Sequence, residues 1–351
     1  MLDRRTILAG SAVLLASRAA AGPVADAKRR AIEAVELPAG FNGVLAYGRR
    51  GRIVHARRVG FADVEARRPV TPETRFKFGS ASKWLASVAV LRLAEQRRLS
   101  IDAPIATYLP DFRPDTGERV RLVHLLSNTS GIPDLLTRQI ASEPALRSSS
   151  ASAAEIVARF GGGDLMFEPG QGWDYAALNW VILAAIVERL TGEAFADTVG
   201  RLVLRPLGLT NTGFAQLDRP PLPHLAAAYG SVQPPVRKML PSPGFIAATG
   251  NVAGTAADAI RAAHGIFHGS LIGAASRTAL TTVRWPEQDY ALGGRVHVIG
   301  DERWAWETGK VQGYRAHIAH RLSASETVVV FNTTDLDQGQ IARWVEAVAL
   351  A

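Results

Sequence analysis

Apolar positions along the chain fall into two kinds of run. Gly43-Val44-Leu45-Ala46-Tyr47 and Ile53-Val54-His55-Ala56 are short and flank Gly48-Arg49-Arg50-Gly51-Arg52, the pattern of two strands joined by a tight turn. Strand character returns late, at Arg295 to Ile299, Arg315 to His320 and Thr327 to Phe331. Helical runs lie around Ala25 to Val35, from Trp84 to Ala94, from Asn179 to Leu190 with Thr191-Gly192 as a stop, and from about Gln338 to Ala349. Pro104, Pro110, Pro114 and Gly117 break the chain into loops, and from Arg121 to about Arg205 the pattern is mainly helical. Strands at both ends with helices between predict one sheet assembled from N- and C-terminal pieces around an α-helical middle section.

Composition narrows the function classes. The 351 residues are 47% hydrophobic and 21% charged, an ordinary globular balance with length for a large core. Met1-Leu2-Asp3-Arg4-Arg5-Thr6 precedes an apolar run from Ile7 to Ala16 and Ala19-Ala20-Ala21 before Gly22. That is the layout of a cleaved signal peptide over 1–21, and the paired arginines suggest the twin-arginine route. Such a run is too short to span a bilayer, so the mature protein is expected to lack a transmembrane span and to be periplasmic or secreted. Loss of three arginines and one aspartate with that segment lowers the net charge from +8 to +6. The remaining arginines are spread along the chain, in doublets such as Arg29-Arg30 and Arg57-Arg58, with no nucleic-acid-binding motif, so no nucleic-acid partner is expected. Zero cysteines exclude disulfides, thiol nucleophiles and cysteine metal sites. Gly161-Gly162-Gly163 lacks the ending of a phosphate loop and reads as a turn.

Candidate chemistry begins at Ser80-Ala81-Ser82-Lys83, in Phe76-Lys77-Phe78-Gly79-Ser80-Ala81-Ser82-Lys83-Trp84-Leu85. Residues three apart on a helix share a face, so a hydroxyl stands beside an amine. The run that follows, Trp84 to Ala94, is apolar except for Ser87 and Arg92, which predicts a buried helix and a largely buried Lys83. An amine taken out of water favours its uncharged form, the form that accepts a proton. Ser80, at the start of the helix, would also offer its backbone N–H to a developing oxyanion. The competing reading of the same spacing is a serine N-cap with a lysine reaching solvent.

Further segments tip that balance. Leu99-Ser100-Ile101-Asp102-Ala103-Pro104-Ile105-Ala106-Thr107-Tyr108-Leu109-Pro110 and Val123-His124-Leu125-Leu126-Ser127-Asn128-Thr129-Ser130-Gly131-Ile132 closely resemble the serine β-lactamase and penicillin-binding-protein superfamily. Pro169-Gly170, Trp173-Asp174-Tyr175, Arg205-Pro206-Leu207-Gly208-Leu209 and Thr212-Gly213-Phe214 add to the likeness, which runs from about Arg52 to Asn332 and is strongest to the class C-type branch. The resemblance implies an α+β fold, an α/β sandwich with an antiparallel sheet flanked by helices (about 22–110 and 225–351) and an inserted helical subdomain (about 111–224). It also implies Ser80 as nucleophile, Lys83 and Tyr175 as its catalytic companions, and the backbone N–H groups of Ser80 and Lys310 as oxyanion donors. No cofactor and no metal are implied, and the partner is a small-molecule or peptide acyl substrate.

Two positions depart from the family pattern. The tyrosine motif commonly reads Tyr-x-Asn, yet position 177 is alanine, and Asn179 has the wrong offset to replace the amide. The late strand motif, usually Lys-Thr-Gly or His-x-Gly, appears as Glu307-Thr308-Gly309, the expected substrate-binding stretch. A carboxylate there would repel the carboxylate of a β-lactam or a D-Ala-D-Ala peptide unless Lys310 or Arg315 compensates. Glu307 would otherwise hold Lys83 protonated, select a neutral or amine-bearing substrate, or be a surface strand residue. His124 is expected to be structural; His264 and His268 lack a third zinc ligand, and His317 and His320 should face opposite sides of a strand. The sequence therefore points to an exported serine esterase or amidase. A β-lactamase or D-Ala-D-Ala carboxypeptidase is the alternative enzyme, and a non-catalytic binding protein the alternative class.

Overall fold

The structure, a computed structural model, describes residues 23–239, 241–311 and 313–351; the signal-peptide expectation over 1–21 lies outside them. Six strands, β1 (Gly43–Arg49), β2 (Arg52–Val59), β3 (Arg295–Ile299), β4 (Glu302–Val311), β5 (Tyr314–Arg321) and β6 (Glu326–Asn332), form one sheet in the order β3-β4-β5-β6-β1-β2. Every neighbouring pair is antiparallel. The chain ends meet in its middle, where β1 pairs with β6 from Gly43 opposite Asn332 to Arg49 opposite Glu326.

Both faces of this sheet are covered, which is why its central strands read as continuous apolar runs rather than alternating ones. Leu45, Tyr47, Val328 and Val330 pack with Ile32 of α1 (Pro23–Ala34) and with Trp344, Val345 and Val348 of α5 (Gln338–Leu350). Val44, Ala46, Val329 and Phe331 point the other way, into a core shared with α2 (Lys83–Glu95) and α4 (Ala256–Phe267). Burying one such valine or leucine side chain is worth roughly 1.5–3 kcal/mol, so both layers are firmly docked. Helix α2 is buried on all sides from Lys83 to Leu91, and α3 (Ala177–Thr191) from Leu178 to Val187, as expected of helices apolar all round.

The helical middle section holds α3 together with shorter helices such as Leu122–Ser127, Leu135–Ser142 and Ala153–Phe160. Two features differ from the sequence reading. Pro114–Gly117, expected as loop, forms one helical turn with the proline at its start, where the missing N–H costs nothing. A second, small sheet joins Phe76–Lys77, Val252–Gly254 and Gly213–Phe214; strands this short carry no periodicity to read. It fixes the approach to Ser80, since the Phe78 N–H donates to the Val252 carbonyl at 2.8 Å.

His317 and His320 do face opposite sides of β5. His320 meets His268, the residue that caps the end of α4, with ring nitrogens 2.9 Å apart, whereas the His317 ring stands edge to face with Trp306, centroids 4.0 Å apart. His317 is 0% exposed, and neither ring nitrogen has a hydrogen-bond partner among the described residues. Burial above all, then the nearby His297 and Arg295, pushes its pKa down to about 3. Because the unfolded imidazole protonates near pH ~6.5, the stability of the neutral buried form is present above that pH and lost as pH falls toward 3. Between pH 7 and pH 5 the loss from this group is about 2 kcal/mol. His317→Leu should therefore shrink the drop in urea unfolding free energy between those pH values by about 2 kcal/mol; an unchanged drop would show that His317 is not held neutral.

Candidate active site

A glycine bend followed by a tight turn sets the geometry around Ser80. Gly79 has φ +54°, a left-handed conformation that glycine adopts without penalty, and Gly79–Ser82 is a 3-10 turn leading directly into α2. In such a turn side chains three apart eclipse one another, so the Lys83 Nζ comes to 3.1 Å from the Ser80 Oγ. Neither the turn nor α2 has a side-chain N-cap bond, so the serine hydroxyl is not acting as a helix cap. The lysine does not reach solvent either: it is 3% exposed. Its ammonium donates to the Thr249 carbonyl at 2.6 Å and lies 5.0 Å from the Tyr175 ring centroid and 5.5 Å from that of Trp180.

The third residue arrives from the helical section. The Tyr175 hydroxyl donates to the Ser80 Oγ at 2.7 Å, so phenol and amine converge on the same oxygen. Tyr175 is 37% exposed and Ser80 partly so, while Lys83 lies beneath them; a carbonyl can approach the hydroxyl from solvent. The loop that carries Tyr175 is held by its main chain. Met166 N–H donates to Gly131 O, Gly170 N–H to Thr129 O and Asp174 N–H to Asn128 O, at 2.8, 2.8 and 3.0 Å. Asn128, with φ +58°, ends the Leu122–Ser127 helix in a left-handed cap and turns the chain toward that loop. Behind it, the Asn179 amide donates to Asn128 Oδ1 and accepts from Ser130 Oγ, so its bonds go to this segment and none to Lys83 among the described residues. The Ala177 N–H, at the start of α3, donates to Asp134 at 2.8 Å, and a carboxylate suits that helix end.

Strand β4 closes the other side. Gly309 presses on the turn so closely that a Cβ there would lie 1.9 Å from the Phe78 carbonyl oxygen, and a Cβ on Gly79 would lie 3.0 Å from the Lys310 backbone nitrogen. Lys310 exposes its side chain while its main chain borders the Ser80 turn, and Thr308 is partly exposed beside it.

Glu307 is not a surface residue: it is 1% exposed. Both its carboxylate oxygens lie 3.0 Å from Arg295 Nη1, and the Thr308 N–H donates to one of them at 3.2 Å. Burial pushes the Glu307 pKa up, against the pull of Arg295 and Lys83. Neither cation proposed from sequence compensates it, because Lys310 points to solvent and Arg315 is committed to Asp335 and the Leu336 carbonyl. Arg295 does so instead. It starts β3, whose register sets it opposite Trp306 of β4, a proximity that no local pattern in the sequence reveals.

Tyr290 was also missed. Fully buried, it packs edge to face against Tyr175 and Trp173 at 6.2 and 5.6 Å between ring centroids, with the Arg295 guanidinium 5.3 Å from its own centroid. His124 accepts the Arg121 N–H at 3.2 Å and closes the start of its helix, and burial lowers its pKa. Among the described residues no group of three His, Cys, Asp or Glu side chains is arranged to hold a metal ion, and no helix is long and apolar enough to cross a membrane.

A sheet fed by both chain ends, with serine and lysine on a turn beneath its edge, places the molecule among the penicillin-binding-protein-like folds. The beta-lactamase family model matches residues 33–351, and the chain belongs to that family. Esterase EstB of Burkholderia gladioli is 35% identical over 206 residues, which cover 55% of this chain and 52% of that protein. This chain therefore spans about half the length of that curated relative. A penicillin-binding protein from Bacillus halodurans superposes with TM-score 0.78 at 21% identity, covering 92% of this chain and 98% of the other. The D-amino acid amidase from Ochrobactrum anthropi SV3 gives TM-score 0.78 at 20% identity, covering 93% and 97%.

The contact of β4 with the serine turn is testable. Gly309→Ala should cost about 1–3 kcal/mol of stability through overpacking, read from the denaturant midpoint. A midpoint equal to that of the parent protein would mean that strand and turn are not in contact.

Proposed function

We propose that the protein is an exported serine hydrolase that forms an acyl-enzyme on Ser80 and acts on carboxylic esters or amides. The observation that carries this reading is the convergence of Tyr175 and Lys83 on the Ser80 Oγ, at 2.7 and 3.1 Å. The proton leaving the Ser80 hydroxyl passes to the Tyr175 oxygen, beside the Lys83 amine, as Oγ bonds to the acyl carbon. The tetrahedral oxyanion is met by the backbone N–H groups of Ser80 and Lys310, donors that do not depend on side-chain identity. On collapse the bond to the leaving alcohol or amine breaks, and that group takes the proton back from Tyr175. Water, or another alcohol or amine, then repeats the sequence on the acyl-enzyme and releases the product. The name of the 35% identical relative supports the ester side of this reading, and that of the amidase with the same fold supports the amide side. Glu307 in the third motif weighs against β-lactams and D-Ala-D-Ala peptides as main substrates.

A p-nitrophenyl ester should give a burst of nitrophenolate and an acyl mass increment on Ser80, both absent in Ser80→Ala. Tyr175→Phe should slow acylation about 10²–10⁴-fold, the usual contribution of a general base. Failure of every serine-directed acylating or phosphonylating probe to label the protein would favour a non-catalytic binding role. Rapid turnover of a chromogenic cephalosporin would instead favour the β-lactamase reading.

Export rests on residues 1–21. Expressed in a bacterium with an intact twin-arginine pathway, the protein should accumulate in the periplasm or medium with Gly22 as its first residue, and Arg4→Lys with Arg5→Lys should hold the uncleaved precursor in the cytoplasm. Cytoplasmic accumulation of the uncleaved parent chain would count against export.

A further inference from the structure

Beside the nucleophile lies a second charged layer that the acyl-transfer steps do not use. Arg295 and Glu307 form an ion pair of unequal depth, with 26% of the arginine side chain exposed against 2% of the glutamate. The guanidinium therefore lies on the solvent side and the carboxylate underneath. Only Nη1 of Arg295 is engaged by Glu307; among the described residues Nε and Nη2 have no hydrogen-bond partner, and neither is a buried orphan. These donors keep contact with solvent. Two rings link them to the chemistry: the guanidinium carbon lies 5.3 Å from the Tyr290 ring centroid, and that centroid 6.2 Å from the one of Tyr175, whose hydroxyl donates to Ser80.

A guanidinium with open N–H groups beside a nucleophile would ordinarily anchor a carboxylate, since planar forks of this kind suit that group. Here a carboxylate reaching Arg295 would be drawn close to the carboxylate of Glu307, behind the same guanidinium. The attraction of one is offset by the repulsion of the other, and partial burial weakens the screening that would make both unimportant.

We propose that Glu307 is a specificity-determining residue: by cancelling the charge of Arg295 it makes the cleft select acyl substrates that carry no carboxylate, and its removal turns Arg295 into a carboxylate anchor. This rests on the hydrolase reading of Ser80. Glu307 touches neither the nucleophile nor its proton acceptor. Its charge does reach Lys83, which acts on all substrates alike, so the role in specificity is read from the ratio between substrates and not from the absolute rate.

The experiment compares two activated esters of similar acyl length, p-nitrophenyl butyrate and the singly charged p-nitrophenyl glutarate, through the ratio of their kcat/KM values. The parent protein should favour the neutral ester at least tenfold. Glu307→Gln keeps the shape but not the charge, and should move the ratio at least tenfold toward the glutarate, mostly through KM. Arg295→Gln combined with Glu307→Gln should remove that gain. Should Glu307→Gln fail to fold, Arg295→Gln in the parent background reads the same layer: the Glu307 carboxylate, no longer offset by the guanidinium, should push the ratio further toward the neutral ester and favour p-nitrophenyl 4-aminobutyrate. A parent protein that prefers the glutarate, or variants whose ratio stays at the parent value while Ser80 is still acylated, overturns the proposal alone. Absence of acylation by every ester overturns the hydrolase reading, and this proposal with it.

Discussion

One buried positive charge organises the site. Lys83 lies almost entirely out of water, and among the described residues its ammonium forms no ion pair with a carboxylate. An isolated ammonium in such a place would be costly. What offsets the cost is a set of weaker partners: the Thr249 carbonyl, the Ser80 hydroxyl and the faces of two aromatic rings. Each comes from a different part of the chain, so the turn before α2, the segment near Thr249, the Tyr175 loop and α3 must all be in place before the charge is accommodated. Folding and assembly of the site are in this sense a single event.

Much of this was legible in the sequence because the signals were local or repetitive. Most of the sheet's strands are apolar runs bounded by turns, though β4, with charges at Glu302, Arg303, Glu307 and Lys310, is not, and α2 and α3 are long apolar helices with a recognisable stop at Gly192. The Ser80 and Lys83 spacing stands out because only two residues separate a hydroxyl from an amine. Illegible were the contacts that depend on register between distant segments. Nothing around Arg295 marks it as the partner of Glu307; only the pairing of β3 with β4 brings the two together. Tyr290 is likewise silent, a lone aromatic in a loop whose importance comes from the ring of Tyr175 beside it. The short strands at Phe76 and Val252 were missed because two or three residues cannot display a period.

The change at position 307 also shows how a charge reversal is tolerated in a buried place. A lone carboxylate here would be expensive, and the strand next door supplies the guanidinium that makes it affordable. Two residues that look unrelated in the sequence are one electrostatic unit in the fold, with Tyr290 lying between that unit and the phenol.

The Tyr175 loop is fastened through its peptide groups, at Met166, Gly170 and Asp174, to a stretch of chain whose side chains are themselves buried. Among its side chains, Glu168 pairs with Arg119 and Trp173 packs against Tyr290, whereas Met166 and Gln171 are exposed. Met166 and Gln171 can therefore be exchanged to reshape the rim around the phenol without displacing it, which makes these two positions the natural place to retune that rim.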